Sequence, residues 1–184
     1  MRKLMLSFMG LVLFIACNNE KPAENKETAS ATGTEAKPQM DAEFADAKYR
    51  DIGKKGLADL SAGNVDEWMN SFAENAMYRW NNGDSLAGKA AISDYWKKRR
   101  TTVIDSISFS NDIWLPVKVN KPQQPSVQAP GTWLLAWYKT TAKYKTGKSM
   151  TQWIHTDMHF DATDKIDIVI QYLDRVPIAE AMKK

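Results

Sequence analysis

The chain has 184 residues, with 25 Lys and Arg against 22 Asp and Glu, a net charge of +3. Taking away Arg2 and Lys3 with an N-terminal leader leaves about +1, so no strong field of one sign points to nucleic acid. A single cysteine excludes an internal disulfide framework, and no phosphate loop, nucleophile motif or specific metal-ligand spacing is present.

Residues 1–17 begin Met-Arg-Lys, continue in a run from Leu4 to Ala16 that is apolar apart from Ser7 and Gly10, and end at the lone Cys17. A charged start, an apolar middle and a small residue before the cut have the form of an export signal. The run is too short to span a bilayer, which takes about 20 apolar residues. Phe14-Ile15-Ala16-Cys17 resembles the lipobox of bacterial lipoproteins, with Phe14 where Leu is usual. The resemblance implies cleavage before Cys17 and acylation of its sulfur. It also implies a membrane partner held through that anchor, in the cell envelope. Asn18 is similar to residues that direct lipoproteins to an outer membrane.

Residues 18–40 hold one large apolar residue, Met40, and no aromatic ring. Such a stretch buries too little surface to offset its ordering entropy and reads as a tether, spanning about 25–30 Å as a flexible chain. Residues 41–184 suit one domain and contain all seven tryptophans.

Within it, Asp41 to Ala62 reads as an amphipathic helix weakened by Gly53 and Gly56 and ended by Gly63. Asn64 opens a second helix, with Glu67 at the capping-box position and Trp68, Met69 and Phe72 on its buried side. A strand from Ala76 to Trp80 meets the turn Asn81-Asn82-Gly83-Asp84. A third helix follows from Lys89 to Arg100, and its terminal Lys97-Lys98-Arg99-Arg100 suits the negative end of the helix dipole. Strands are expected at Thr102 to Val119, Thr132 to Tyr144, Ser149 to Phe160 and Lys165 to Leu173, with a proline-rich loop over 120–131. Short turns join the last three as an antiparallel meander. Helices on one side of such a sheet make an α+β fold.

This order, with Leu86-Ala87-Gly88-Lys89-Ala90-Ala91-Ile92 opening the third helix and Tyr172-Leu173-Asp174 closing the last strand, resembles the nuclear transport factor 2-like superfamily and its SnoaL-like group. The resemblance covers about residues 42–180. It implies a curved antiparallel sheet wrapped as a cone around three helices, with a pocket at the open end. Members include isomerases, dehydratases, cyclases and non-catalytic binding modules, so the fold alone leaves function open.

Two residue sets are candidates for a site. Strand alternation puts Trp153, His155, Asp157 and His159 on one face, and Ile154, Met158 and Phe160 on the other. His155 and Asp157 together could act as a base oriented by a carboxylate, or form part of the polar outer face of a half-buried strand. A metal site on one strand is strained by the spacing of residues two apart, so no metal or other cofactor is expected. The second set is aromatic: Trp80, Tyr95, Trp96, Trp114, Trp137, Trp153 and Tyr172; the resemblance adds Asp174, near the pocket rim, where it could equally pair with Arg175. Trp133 and Trp137 share a strand face with Leu135, which favours a ring stack. Rings around unfilled volume with a few polar groups are the usual form of a small-molecule site. Three readings follow: a module binding a small apolar or aromatic ligand, an acid–base enzyme using His155 or Asp157, and an adaptor that forms a homodimer through its sheet.

Overall fold

The computed structural model describes residues 39–122 and 129–184. Cys17, the signal segment and most of the tether lie outside these residues, as does the middle of the 120–131 loop.

Seven strands form one sheet in the order β1-β4-β5-β6-β7-β2-β3. They are β1 Ala42–Phe44, β2 Phe72–Trp80, β3 Ser85–Ala87, β4 Ile104–Val119, β5 Gly131–Tyr144, β6 Ser149–Phe160 and β7 Ile166–Tyr172. The helices are α1 Lys48–Ala62, α2 Val65–Met69, α3 Lys89–Lys98 and α4 Arg175–Met182. The sheet is curved and mixed. Strands β5 to β7 form the expected antiparallel meander and β4 pairs antiparallel with β5, but β2 lies parallel to β7, with Tyr78 opposite Val169 and Trp80 opposite Gln171. This corrects the all-antiparallel expectation. The chain leaves β2 through α3 and the meander and returns to pair beside it.

Helix α1 is shorter than the sequence suggests because residues 42–44 pair with β4. Asp46 Oδ1 then accepts from the Lys48 amide at 2.8 Å, covering one of the free donors at the helix start. Gly53 and Gly56 do not break the helix. A Cβ on Gly53 would stand 2.5 Å from the Trp114 ring and 2.6 Å from Leu134, and one on Gly56 would stand 2.7 Å from Trp68. Both glycines let the helix backbone rest on large side chains. Asn64 makes no side-chain cap to α2, contrary to the capping-box expectation, and Phe72 belongs to β2.

Strand β4 carries a bulge between Ser110 and Ile113, where Asn111 takes φ 54°. The extra residue shifts the alternation, so Ile107 and Phe109 point inward before the bulge and Trp114 after it. The apolar core lies between this inner face and α1, α2 and α3. At one end a smaller cluster of Ile104, Ile107, Ala142, Tyr144 and Met150 receives Ala181 and Ile178 of α4. Asp174 caps that helix, accepting from the Val176 amide at 2.8 Å.

Candidate functional site

The inner face of the sheet does not close completely on the helices. A cavity of about 540 Å³ remains, within the usual range for small-molecule sites. Trp80 comes from the end of β2, and Tyr95 and Trp96 from one face of α3. The ring centroids of Trp80 and Tyr95 are 5.3 Å apart, and those of Tyr95 and Trp96 are 5.5 Å apart and perpendicular. Tyr78, Trp68, Phe72, Phe109 and Tyr138 continue the aromatic wall. Ile178 and Met182 of α4 cover one end.

Polar atoms cross the strands as one neutral chain. Trp80 Nε1 donates to Gln171 Oε1 at 3.1 Å, Gln171 Nε2 lies 3.5 Å from the Tyr138 hydroxyl, and that hydroxyl shares a 2.7 Å bond with Thr156 Oγ1. The inner sides of β6 and β7 supply Thr156 and Gln171, which stand opposite each other, and Tyr138 on β5 reaches them diagonally from its place opposite Ile154. Burial pushes the pKa of Tyr138 up, although its bonds to Thr156 and Gln171 pull the other way. Tyr78 is raised further, burial again being the leading cause, with the charge of Arg99 opposing it. Both phenols are therefore neutral donors at ordinary pH.

Arg99, Arg175 and Lys183 are the charged residues of the lining, which contains no Asp, Glu or His among the described residues. The basic cluster at the end of α3 is divided by a π-helical turn over Arg99–Val103. Lys97 pairs with Asp66 at 2.5 Å, whereas Arg100 turns back to α1 and donates to the carbonyls of Leu60 and Ser61 at 3.0 and 3.1 Å. Arg99 faces the cavity, its guanidinium 5.5 Å from the centre of the Tyr95 ring.

Of the residues expected at the site, Trp80, Tyr95 and Trp96 line the cavity. Trp114 points inward but stands behind the wall, packed against Gly53 and stacked 6.1 Å from Tyr138. Trp137, Trp153 and Tyr172 are on the outer face of the sheet, because their neighbours Ala136, Tyr138, Ile154 and Gln171 take the inner positions. Asp174 is spent on the α4 cap, and Arg175 pairs with Asp84 at 2.9 Å. Tyr78, Tyr138 and Arg99 were not among the expected site residues. The alternation signal that places Trp137 outside places Tyr138 inside.

His155 and Asp157 also face away from the cavity. The His155 ring is sandwiched between Trp137 and Tyr172, at centroid distances of 4.4 and 5.4 Å. Its Nδ1 lies 3.0 Å from the Ala136 carbonyl, which can only accept, so Nδ1 carries a proton. Its Nε2 stands 2.8 Å from Oδ1 of buried Asp157, as an ion pair without the alignment of a hydrogen bond. Burial lowers the His155 pKa, but Asp157 outweighs it and the net shift is upward. His159 forms a separate pair, Nδ1 to Asp167 Oδ1 at 2.6 Å. No group of three or more His, Cys, Asp or Glu converges among the described residues.

No protein-family model matches the chain, and no curated protein matches it either. Solved structures do. A candidate polyketide cyclase from Pseudomonas putida superposes with a TM-score of 0.58 at 14% identity, over 73% of this chain and 98% of the other. A candidate isomerase from Bacillus subtilis gives 0.56 at 18%, over 73% and 91%. An LEH-like epoxide hydrolase from Mycobacterium tuberculosis gives 0.54 at 11%, over 74% and 90%. At these identities the likeness is one of fold, the nuclear transport factor 2-like α+β cone.

Proposed function

We propose that this chain is a lipid-anchored binding protein whose cone takes up a small apolar or aromatic molecule without transforming it. The observation that carries the reading is the lining of the cavity. Rings and aliphatic side chains surround about 540 Å³, and the polar groups among them are neutral hydroxyls, indole N–H groups, an amide and three cations. Among the described residues no carboxylate or imidazole lines the cavity for acid–base chemistry, since His155 and Asp157 occupy the opposite side of the sheet. The similar structures include candidate enzymes, but a shared fold does not transfer their reactions. The anchor is the acylated Cys17, supported by the lipobox-like Phe14-Ile15-Ala16-Cys17.

Neutral naphthalene, titrated into the full chain in lipid nanodiscs, should quench tryptophan fluorescence saturably above an empty-nanodisc blank. Trp80→Ala should weaken that binding about tenfold or more, in line with the loss of one large ring contact. A linear, unsaturable response would overturn the binding reading. For the anchor, Cys17→Ser should move the protein from membrane to soluble fractions. Persistent membrane association of that variant would overturn it.

A further inference from the structure

We infer that the ligand carries one anionic group, a carboxylate in the simplest case, and that Arg99 receives it. This rests on the binding role proposed above and adds the chemical class of what is bound.

The argument begins with how the cations of the lining are used. Arg175 already has the Asp84 carboxylate at 2.9 Å, and Lys183 is paired with Glu180. Arg99 has no carboxylate within ion-pair distance among the described residues; its neighbours are phenol rings. Tyr95 lies under the guanidinium. Its charge also reaches Tyr78 and Tyr144, opposing the upward push of burial on both hydroxyls. A guanidinium half-withdrawn from water has lost part of its hydration, and the Tyr95 ring face and the Tyr144 hydroxyl return only part of that loss. Its planar fork matches two carboxylate oxygens, and the neutral phenols beside it are further donors.

Two other observations point the same way. No acidic residue among the described residues lines the cavity, so none of them repels an anion or competes for Arg99 there. The second is the direction of Arg99. Arg99 and Arg100 open the π-helical turn over Arg99–Val103 and, as consecutive residues, point apart, so that Arg100 is held by the end of α1 while Arg99 is left facing the cavity. The remaining wall is apolar and aromatic, which makes the whole ligand an amphiphile: a hydrophobic body among Trp80, Tyr95 and Trp96, with its charge at Arg99.

Naphthalene-2-carboxylate and the neutral naphthalene-2-carboxamide separate the two claims, because they share a body and differ in charge. Each is titrated into the full chain in nanodiscs, with wild type, Arg99→Gln and Arg99→Lys compared. The wild type should bind the carboxylate at least about tenfold more tightly than the amide. Arg99→Gln should bring the two affinities to within about twofold of each other, and Arg99→Lys should keep part of the preference. Saturable amide binding also shows that the variant is folded. Equal affinity of the two probes for wild type, or a preference that survives Arg99→Gln, would overturn the anionic-ligand inference and leave the binding reading intact. Failure of both probes to bind wild type would overturn both.

Discussion

The two faces of strands β5, β6 and β7 have opposite chemistry. The inner face carries Tyr138, Thr156 and Gln171, neutral groups in a hydrogen-bonded row beside open volume. The outer face carries Trp137, His155, Asp157 and Tyr172, a titratable pair within a stack of rings. Aromatic rings are plentiful on both, so their number does not identify the face that borders the cavity. What distinguishes it is unfilled space beside neutral donors. The outer rings are packed on one another, and where one end of that face is covered, Trp133 Nε1 donates to the Ala129 carbonyl at 3.0 Å and His159 Nε2 reaches Pro130 at 3.2 Å.

The largest test of this contrast compares two tryptophans. Trp133 is fully buried against filled surroundings, and Trp133→Ala should cost about 3–5 kcal/mol. Trp80 already borders the cavity, so Trp80→Ala should cost about 1–2 kcal/mol less. Urea unfolding measures both; equal losses would mean that the inner wall is as tightly packed as the outer one. A middle-sized effect is expected from Tyr138→Phe, which strips the partner from Thr156 Oγ1 and breaks the row. A loss of about 1–2 kcal/mol should follow, and no change would show that the row adds nothing to the stability of the fold.

The smallest effect concerns His155. Its folded pKa is raised above the ordinary 6.5, so the protonated ring's contribution is fully present below that value and is lost as pH rises through the raised one. Thermal unfolding of the wild type should therefore lose about 1–3 °C more than His155→Gln between pH 6 and pH 8. Parallel pH profiles would show that the outer pair adds nothing to stability.

Much of the fold was legible because β5, β6 and β7 alternate clearly and are bounded by short turns. The stretch Ser149–Phe160 is a strand with the same ends as the sequence suggests. The inward face was harder to read. Strand β5 is apolar on both sides, with Trp133, Leu135 and Trp137 on one and Leu134, Ala136 and Tyr138 on the other, so alternation separates the faces without ranking them. In β4 the bulge at Asn111 reverses the alternation midway, and the sequence carries no strong sign of it. Strands β1 and β3 are three residues each, too short for a periodic signal. The parallel β2–β7 pair depends on contacts far apart in the chain, which no local pattern encodes. Arg99 was hidden by its company, since four consecutive basic residues read as one solvated patch until the turn after α3 divides them.

The parallel pairing of β2 with β7 also has a consequence in time. The bond from Trp80 to Gln171 joins residues 91 apart, whereas the meander forms between neighbours in sequence. Loop closure over such a distance is slow compared with hairpin formation, so helices and hairpins can assemble before the two ends of the domain meet. A chain synthesised only as far as Phe160 would have most of the sheet, but Tyr78 and Trp80 would lack the strand they lie against. The cavity is therefore a property of the finished chain, formed when its last strand docks beside one of its first.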